Sequence, residues 1–218
     1  MKLIKILLEQ EKILVPRRIE GRHERGRKAT QKKIQQYIKK GSKGDLDLVG
    51  TPITSLPDNL KSVGGNLSLK GTPITSLPDN LKSVGGYLDL QGTPIKSLNN
   101  LKYIKGHLFI SASEITSLPN NLKVGGSISF KETPIRSLPD NLEIGGTLSL
   151  TNTAIKSLPD NLEVIGSLSV ANTPITSLPD NLKVGEDLYV HKSPLAEKYT
   201  DEEIKNLANI GGKIIRWN

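Results

Sequence analysis

The sequence predicts an α/β solenoid of stacked coils with a helix at each end. Three observations predict this fold: a motif repeats at a fixed interval, each repeat contains a strand-like Leu-x-Leu pair, and helical patterns flank the repeats. A period of about 20 to 29 residues is typical of solenoids. The first apolar residues of the eight pairs follow one another at spacings of 21, 21 and then five times 20 residues: Leu46, Leu67, Leu88, Leu108, Ile128, Leu148, Leu168 and Leu188.

Residues 67–87 show how one repeat is expected to form a coil. Leu67 and Leu69 alternate with a polar residue, which indicates a short strand whose leucines face inward. Turns containing Pro and Asx then reverse the chain, and a Gly-Gly pair closes the coil, so each repeat is expected to hold one strand. Five or six inward apolar residues, at roughly 1.5–3 kcal/mol each, cannot stabilise one coil alone. Neighbouring coils must therefore share a core and pair their strands in parallel.

The repeat resembles a known family. Its line Leu67-x-Leu69-x-x-Thr72-x-Ile74 resembles the leucine-rich-repeat consensus, and Leu-Pro-x-x-Leu resembles the short bacterial form of that repeat. The wording Gly-Thr-Pro-Ile-x-Ser-Leu-Pro-Asp-Asn-Leu is similar to uncharacterised leucine-rich-repeat proteins of tailed bacteriophages. The resemblance covers residues 45–195. It implies a curved, right-handed solenoid with one parallel strand per repeat on the concave face and irregular turns on the convex side.

The repeats depart from that family at one position. Where the family has an Asn that bonds backbone between coils, this chain has a hydroxyl residue, which can bond locally instead. These residues are Thr51, Thr72, Thr93, Ser113, Thr133, Thr153, Thr173 and Ser193. One repeat is also irregular, because residues 98–101 lack the proline and residues 103–106 replace the usual Val-Gly-Gly. We expect the convex side to be distorted there.

Helical patterns are expected to cover both ends of the solenoid. Residues 30–40 place Ile34, Tyr37 and Ile38 on one side and end before Gly41. Residues 200–203 predict a capping box that opens a second helix, and residues 213–217 are expected to add an edge strand.

We therefore divide the chain into three parts. Residues 1–44 form a basic helical leader and N-terminal cap, residues 45–195 form the solenoid of eight units, and residues 196–218 form a C-terminal cap.

Charge is distributed unevenly between these parts. The net charge is +8, but residues 1–44 carry 14 Lys and Arg against 4 Glu, whereas residues 45–218 carry 16 against 18 acidic residues. Residues 16–29 are either a flexible solvated linker or a contact for nucleic acid or an acidic protein surface, because arginine suits both phosphates and carboxylates. Interleaved aromatic residues are absent, which argues against reading of base sequence. The candidate contacts are Arg17, Arg18, Arg22, Arg25, Arg27 and Lys28.

The composition also bears on location. Residues 1–15 are apolar but interrupted by charge, and no small-residue cleavage site follows, so they predict a short amphipathic helix and not a signal peptide or membrane span. The absence of cysteine excludes disulfides, thiolate metal sites and cysteine nucleophiles. We expect a location in the cytoplasm of a bacterial or infected host cell, or in a virion, without membrane association.

The repeats differ mainly at outward strand positions. Residues 50–65 and 71–86 are identical, whereas the strand residues that follow them differ. Such positions form the concave face of a leucine-rich-repeat solenoid, where partners bind. Adjacent strands bring aromatic and polar side chains together there, as in a binding hot spot, although aromatics also favour strands for packing alone. The predicted partner-binding residues are Tyr87, Asp89, His107, Phe109, Lys131, Tyr189 and His191.

The sequence predicts no enzymatic activity, cofactor or metal site. His107 beside Asp89 has the composition of an acid–base pair, but an open strand face offers no enclosed pocket, nucleophile elbow or phosphate loop. His107 and His191 are about four coils apart, too far to share a metal.

Two functions follow. The first is a non-enzymatic protein–protein interaction scaffold, monomeric unless assembled into a larger complex, that binds a partner through the concave strands. The alternative is a phage or virion-associated structural component whose basic leader, residues 1–44, anchors it to nucleic acid or an acidic protein surface, with nucleic acid contacted through residues 16–43.

Overall fold

The chain folds into stacked parallel coils. The computed structural model describes the backbone of residues 17–217 and the side chains of residues 24–217. The helix predicted in residues 1–15 lies outside the described residues. Three helices occur in the described range: α1 (Arg17–Lys39), α2 (Pro194–Lys198) and α3 (Asp201–Leu207).

A first parallel sheet of nine strands runs along the solenoid. The aligned apolar residues pair directly in register, beginning with Leu46 to Leu67 and ending with Leu168 to Leu188, which confirms the predicted period. The ninth strand comes from the predicted C-terminal segment. The strands are β1 (Leu46–Asp47), β3 (Leu67–Ser68), β5 (Leu88–Asp89), β7 (Leu108–Phe109), β9 (Ile128–Ser129), β11 (Leu148–Ser149), β13 (Leu168–Ser169), β15 (Leu188–Tyr189) and β17 (Ile214–Ile215).

A second parallel sheet of eight strands corrects the expectation of one strand per repeat. The residues before each Gly-Gly pair are extended, and stacking at the repeat period lines them up so that their backbone amides and carbonyls pair between coils. If these residues formed a turn, their backbone amides and carbonyls would lack these hydrogen bonds between coils. The strands are β2 (Ser62–Val63), β4 (Ser83–Val84), β6 (Tyr103–Ile104), β8 (Lys123–Val124), β10 (Glu143–Ile144), β12 (Glu163–Val164), β14 (Lys183–Val184) and β16 (Asn209–Ile210).

The irregular repeat does not interrupt this second sheet. β6 pairs in register with β4 on one side and β8 on the other. The expected distortion therefore does not reach this sheet and is confined to the turn at residues 98–101. Asn99 adopts a left-handed conformation with φ 49°, which lets the shorter segment turn without the proline.

A single apolar core runs between the two sheets along the stack. Each regular coil contributes six buried apolar side chains, which in the second repeat are Leu67, Leu69, Ile74, Leu77, Leu81 and Val84. This agrees with the five or six that the sequence predicts. The two sheets and the turns that connect their strands within each coil therefore enclose one narrow core. Each coil buries its apolar residues against those of the neighbouring coils.

The hydroxyl row bonds within each coil. Thr72 Oγ1 donates to the carbonyl oxygen of Leu69 at 2.7 Å, and the same bond to the residue three positions earlier recurs in all eight repeats. The predicted local bond is confirmed. The row thus holds the turn after each strand of the first sheet and makes no bond between coils.

The N-terminal helix is longer than the sequence predicts. It begins at Arg17, so the interpretation of residues 16–29 as a flexible linker was wrong for residues 17–29. Arg, Lys and Glu have high helix propensity, which offsets the low propensity of the glycines within the helix. A side chain at Gly26 would have its Cβ 3.2 Å from Pro52 Cγ, so glycine allows α1 to approach the first coil closely. Ile34 is buried with the core.

The C-terminal segment continues the stack and then closes on itself. The predicted capping box is confirmed: Thr200 and Glu203 exchange hydrogen bonds at the start of α3. Ile204 and Ala208 are buried with the core. Arg216 then donates to Asp201 Oδ1 at 2.5 Å and to the carbonyl oxygen of Tyr199 at 2.6 Å, which ties the last strand to the helices.

Candidate binding surface

The outward residues of the first sheet form regular rows. The middle row is set by strand register, which places Asp89 beside Ser68 on one side and Phe109 on the other. Its C-terminal half is short and polar until Tyr189. The full row is Asp47, Ser68, Asp89, Phe109, Ser129, Ser149, Ser169 and Tyr189.

An aromatic cluster, consisting of Tyr87, His107 and Phe109, lies on this face. The ring centroids of Tyr87 and Phe109 are 5.8 Å apart with the rings inclined at 66°, which is an edge-to-face contact. His107 and Phe109 are 5.7 Å apart with an interplanar angle of 32°. Phe109 remains 37% exposed. The structure therefore brings together the residues that the sequence places on neighbouring strands.

His107 has a structural hydrogen bond that the sequence analysis missed. Its Nδ1 accepts from the backbone amide of Ser127 in the next coil at 2.9 Å, so the neutral ring carries its proton on Nε2. Asp89 Oδ1 accepts from the backbone amide of Gln91 at 3.0 Å. The two side chains are thus engaged with backbone amides, and their predicted proximity does not make an acid–base pair.

The bond made by His107 belongs to a series that we call the acceptor ladder. Its members are side chains directly before a first-sheet strand, and each accepts a hydrogen bond from the backbone amide at the equivalent position of the next coil. The distances range from 2.7 to 2.9 Å. Side chains with an acceptor atom one or two bonds beyond Cβ at this position are the sequence signal that could have revealed it. The members are Asp45, Asn66, His107, Ser127 and Asp187.

The C-terminal candidates lie inside the sheet and not at its edge. Tyr189 pairs with Ser169 on one side and with Ile215 of β17 on the other. Tyr189 and His191 are both half-buried. The Nδ1 atom of His191 is buried without a hydrogen-bond partner among the described residues. This group is less accessible than the aromatic cluster.

Lys131 is exposed, but its charge is not isolated. Its Nζ lies 3.7 Å from Glu132 Oε1, in an ion pair that is more than half exposed on both sides. Such a pair contributes little to stability, and the lysine can exchange it for a contact with a partner.

Among the basic candidates, Arg25, Arg27 and Lys28 are exposed on α1. Lys28 Nζ lies 2.8 Å from Glu24 Oε1, and the hydrogen bond and charge of Lys28 lower the pKa of that carboxyl. Arg17, Arg18 and Arg22 belong to the same helix, while their side chains lie outside the described set.

A shallow groove on the second sheet was not foreseen from the sequence. It has a volume of about 360 Å³, and Gly125 and Gly145 are among its lining residues. Tyr103 and Ile165, which also line it, are 43% and 58% exposed. The sequence feature that could have indicated this groove is Ile165, which replaces the first glycine of the Gly-Gly pair in its repeat.

The described residues contain no group of three or more His, Asp or Glu side chains placed to hold a metal ion. Between residues 17 and 217, no helix is both long and apolar enough to cross a membrane.

No protein-family model matches the chain, and no curated protein matches it significantly.

Proposed function

We propose that the chain is a non-enzymatic protein–protein interaction scaffold that binds a protein partner through the outward face of the first sheet. The observation that carries this proposal is the aromatic cluster. Tyr87, His107 and Phe109 support one another by ring contacts and by the bond from His107 to the next coil. Rings held in this way lose little conformational freedom on binding, which favours affinity.

The surroundings of the cluster suit a protein ligand. Protein interfaces combine a central aromatic anchor with a polar rim that excludes water. On this sheet the cluster is followed by three strands whose middle outward residue is a serine, which can donate and accept hydrogen bonds without projecting above the rings: Ser129, Ser149 and Ser169. Phe109 is the expected centre because it contacts both other rings.

The test is affinity capture of cross-linked partners from cells that express the tagged full chain. A Tyr87→Ala/Phe109→Ala variant is expected to lose the partner. Tyr103→Ala is the matched control, since Tyr103 is an exposed aromatic residue on the second sheet. Retention of the same partner by the double variant would contradict the proposal.

We further infer that the chain is a leucine-rich-repeat protein of the short bacterial type, similar to those of tailed bacteriophages, with α1 and α3 as caps. The in-register apolar pairs and the burial of Ile34 and Ile204 support this. The hydroxyl row is its distinguishing feature, because it replaces bonds between coils with bonds inside them.

A second candidate function is that of a structural component anchored through its leader to an anionic partner in a larger assembly. The observation that favours it is α1, a continuous helix whose described basic side chains are exposed. Deleting residues 1–29 separates the two functions. Loss of the partner on this deletion, with full retention by the Tyr87→Ala/Phe109→Ala variant, would favour anchoring over the first-sheet scaffold.

A further inference from the structure

We infer that the exposed face of α1 binds the phosphate backbone of duplex nucleic acid without reading its base sequence. This inference rests on the second proposed function, in which the leader anchors the chain, and it names the partner. It is independent of the aromatic cluster on the first sheet.

Positive charge is concentrated on α1. The helix carries nine Lys and Arg against two acidic residues, Glu20 and Glu24, and Glu24 is paired with Lys28. The charges of the coils are in contrast balanced, as in the ion pairs of Lys123 with Glu143 and of Lys183 with Glu163. The positive potential is therefore focused at one end of the molecule, where it attracts a polyanion.

The exposed charges lie in a line along the helix. Arg25, Lys28, Lys32 and Lys39 are exposed, and their spacings of three, four and seven residues place them on one side of α1. At about 1.5 Å per residue they extend over roughly 21 Å, and Arg18 continues the same spacing to roughly 32 Å. This length is close to one turn of a duplex, about 34 Å, along which phosphates recur regularly.

The opposite side of α1 is fixed to the first coil. Ile34 is buried, the Tyr37 hydroxyl accepts from the backbone amide of Gly64 at 3.2 Å, and Lys33 Nζ donates to the carbonyl oxygen of Asp47. The helix therefore presents its charged line from a rigid support. The charges therefore face outward from this support, where they can contact the phosphate backbone.

The composition of the exposed face distinguishes among polyanionic partners. Between residues 24 and 40 its only exposed apolar residue is Ala29. Protein interfaces require apolar or aromatic centres and contain few lysines, so an acidic protein surface is disfavoured. Single-stranded nucleic acid is held by stacking on aromatic rings, but Tyr37 is engaged with the first coil. A duplex backbone needs only the regular charges that α1 provides.

The test measures binding of the full chain to a fluorescent duplex of mixed sequence over a range of salt concentrations. The logarithm of the association constant is expected to fall with the logarithm of salt concentration with a slope between about −4 and −5. In a Lys32→Gln/Lys39→Gln variant the slope should be shallower by about 2, and binding at 0.1 M salt weaker by roughly tenfold per lysine. Lys96→Gln/Lys156→Gln is the matched control, since both lysines are exposed on the coils.

The outcomes separate this inference from the anchoring function on which it rests. A second duplex of different sequence should bind equally well, and single strands and polyglutamate should bind more weakly. Binding of polyglutamate but not of duplex would overturn the inference and leave anchoring to an acidic protein in place. Binding of neither probe would contradict both. Equal weakening by the two double variants would show that the lysines of α1 have no special role, and this too would overturn the inference. Urea unfolding of each variant establishes that it is folded.

Discussion

At the scale of single residues, the second glycine of several Gly-Gly pairs is explained by a side chain of the preceding coil, whereas the first glycine faces backbone, as Gly85 faces the carbonyl oxygen of Gly64. A Cβ on Gly86 would lie 2.1 Å from Asn66 Oδ1, and a Cβ on Gly65 would lie 2.2 Å from Asp45 Oδ1. The second glycine is thus needed where an acceptor ladder side chain occupies the space beside it. In the seventh repeat Glu186 replaces this glycine, and Ser167 Oγ donates to its carboxylate at 3.0 Å.

This explanation predicts coupling between the two residues. Gly86→Ala is expected to destabilise the fold by about 1–3 kcal/mol because the added methyl group displaces the Asn66 amide. In an Asn66→Ala background the same change should cost less, with a coupling energy of at least about 0.5 kcal/mol. Urea unfolding of the two single variants and the double variant measures this. Additive costs would show that the clash involves the backbone alone.

The turn after each first-sheet strand requires a left-handed residue. Gly50, Gly71 and Gly92 have φ values of 61–64°, and the equivalent residues of the later repeats have φ values of 51–60°: Ala112, Glu132, Asn152, Asn172 and Lys192. A Cβ at Gly71 would meet no atom within 4 Å, so Gly71→Ala is expected to cost about 1–2 kcal/mol through backbone conformation alone. Gly71→Asn should cost clearly less, because Asn tolerates this conformation. Urea midpoints compare the two, and equal costs would contradict the explanation.

The hydroxyl row predicts a difference between two threonines of the same coil. Thr72 is buried and bonded to the carbonyl oxygen of Leu69, whereas Thr75 is exposed. Thr72→Val should lower the free energy of unfolding by about 1 kcal/mol, and Thr75→Val should change it by less than about 0.5 kcal/mol. Chemical denaturation of both variants tests this, and a harmless Thr72→Val would show that the amide of Thr72 alone holds the turn.

At the scale of the elements, α1 is fixed to the coils by one tyrosine as well as by its apolar side. The Tyr37 hydroxyl lies 2.7 and 2.9 Å from the carbonyl oxygens of Ser42 and Gly44, and it accepts from the backbone amide of Gly64 at 3.2 Å. Partial burial, followed by the negative charge of Asp45, raises the pKa of Tyr37 above 10.0.

The raised pKa predicts a loss of stability in alkali. The folded state holds the phenolic proton more tightly than the unfolded state, so the contribution is complete below pH 10 and is lost as pH rises through the folded pKa. Thermal unfolding between pH 8 and 11 should therefore show a decline in melting temperature that is smaller in Tyr37→Phe. Tyr103→Phe, at an exposed position of the second sheet, is the control. A decline of the same size in all three proteins would contradict this role.

The second sheet is the element that distinguishes the coil from a single-stranded repeat. Its outward row carries two lysines that flank two glutamates, with Lys123, Glu143, Glu163 and Lys183 on successive strands. The two outer pairs make exposed ion pairs, and the two glutamates lie side by side in register. Such exposed pairs contribute little, so the sheet is held mainly by its ladder and its inward Val and Ile.

At the scale of the whole molecule, stability is expected to be a sum over coils and the interfaces between them. Residues 50–65 and 71–86 are identical, so deleting residues 50–70 joins Val49 to Gly71 and removes one coil without changing the frame. The variant should remain folded, with its urea m-value lower by about a tenth. Deleting residues 50–60 removes half a coil and should unfold the N-terminal repeats. Equal tolerance of both deletions would show that the coils are not the unit of folding.

The sequence by itself determined which residues stack on one another. A period of 20 or 21 residues translates each coil onto the next, so the register of the first sheet, the buried core, the hydroxyl row and the ninth strand could all be predicted. The capping box of α3 was predictable for a different reason, because its bonds join residues three positions apart. The neighbourhood of Tyr87, His107 and Phe109 followed from the same period.

Only the tertiary structure decided how each coil is shaped in cross-section. The second sheet depends on which two-residue segments become extended and face one another across coils, and such short segments have no periodicity of their own to reveal them. The acceptor ladder has the same origin, because the bond from the Ser127 amide to His107 joins residues 20 positions apart. The start of α1 at Arg17 could not be predicted either. Gly26 is unfavourable in a helix by propensity, and the reason for it is the close approach to Pro52, which only the tertiary structure shows. Stacking is a property of the repeat, whereas these contacts depend on the path of the backbone between repeats.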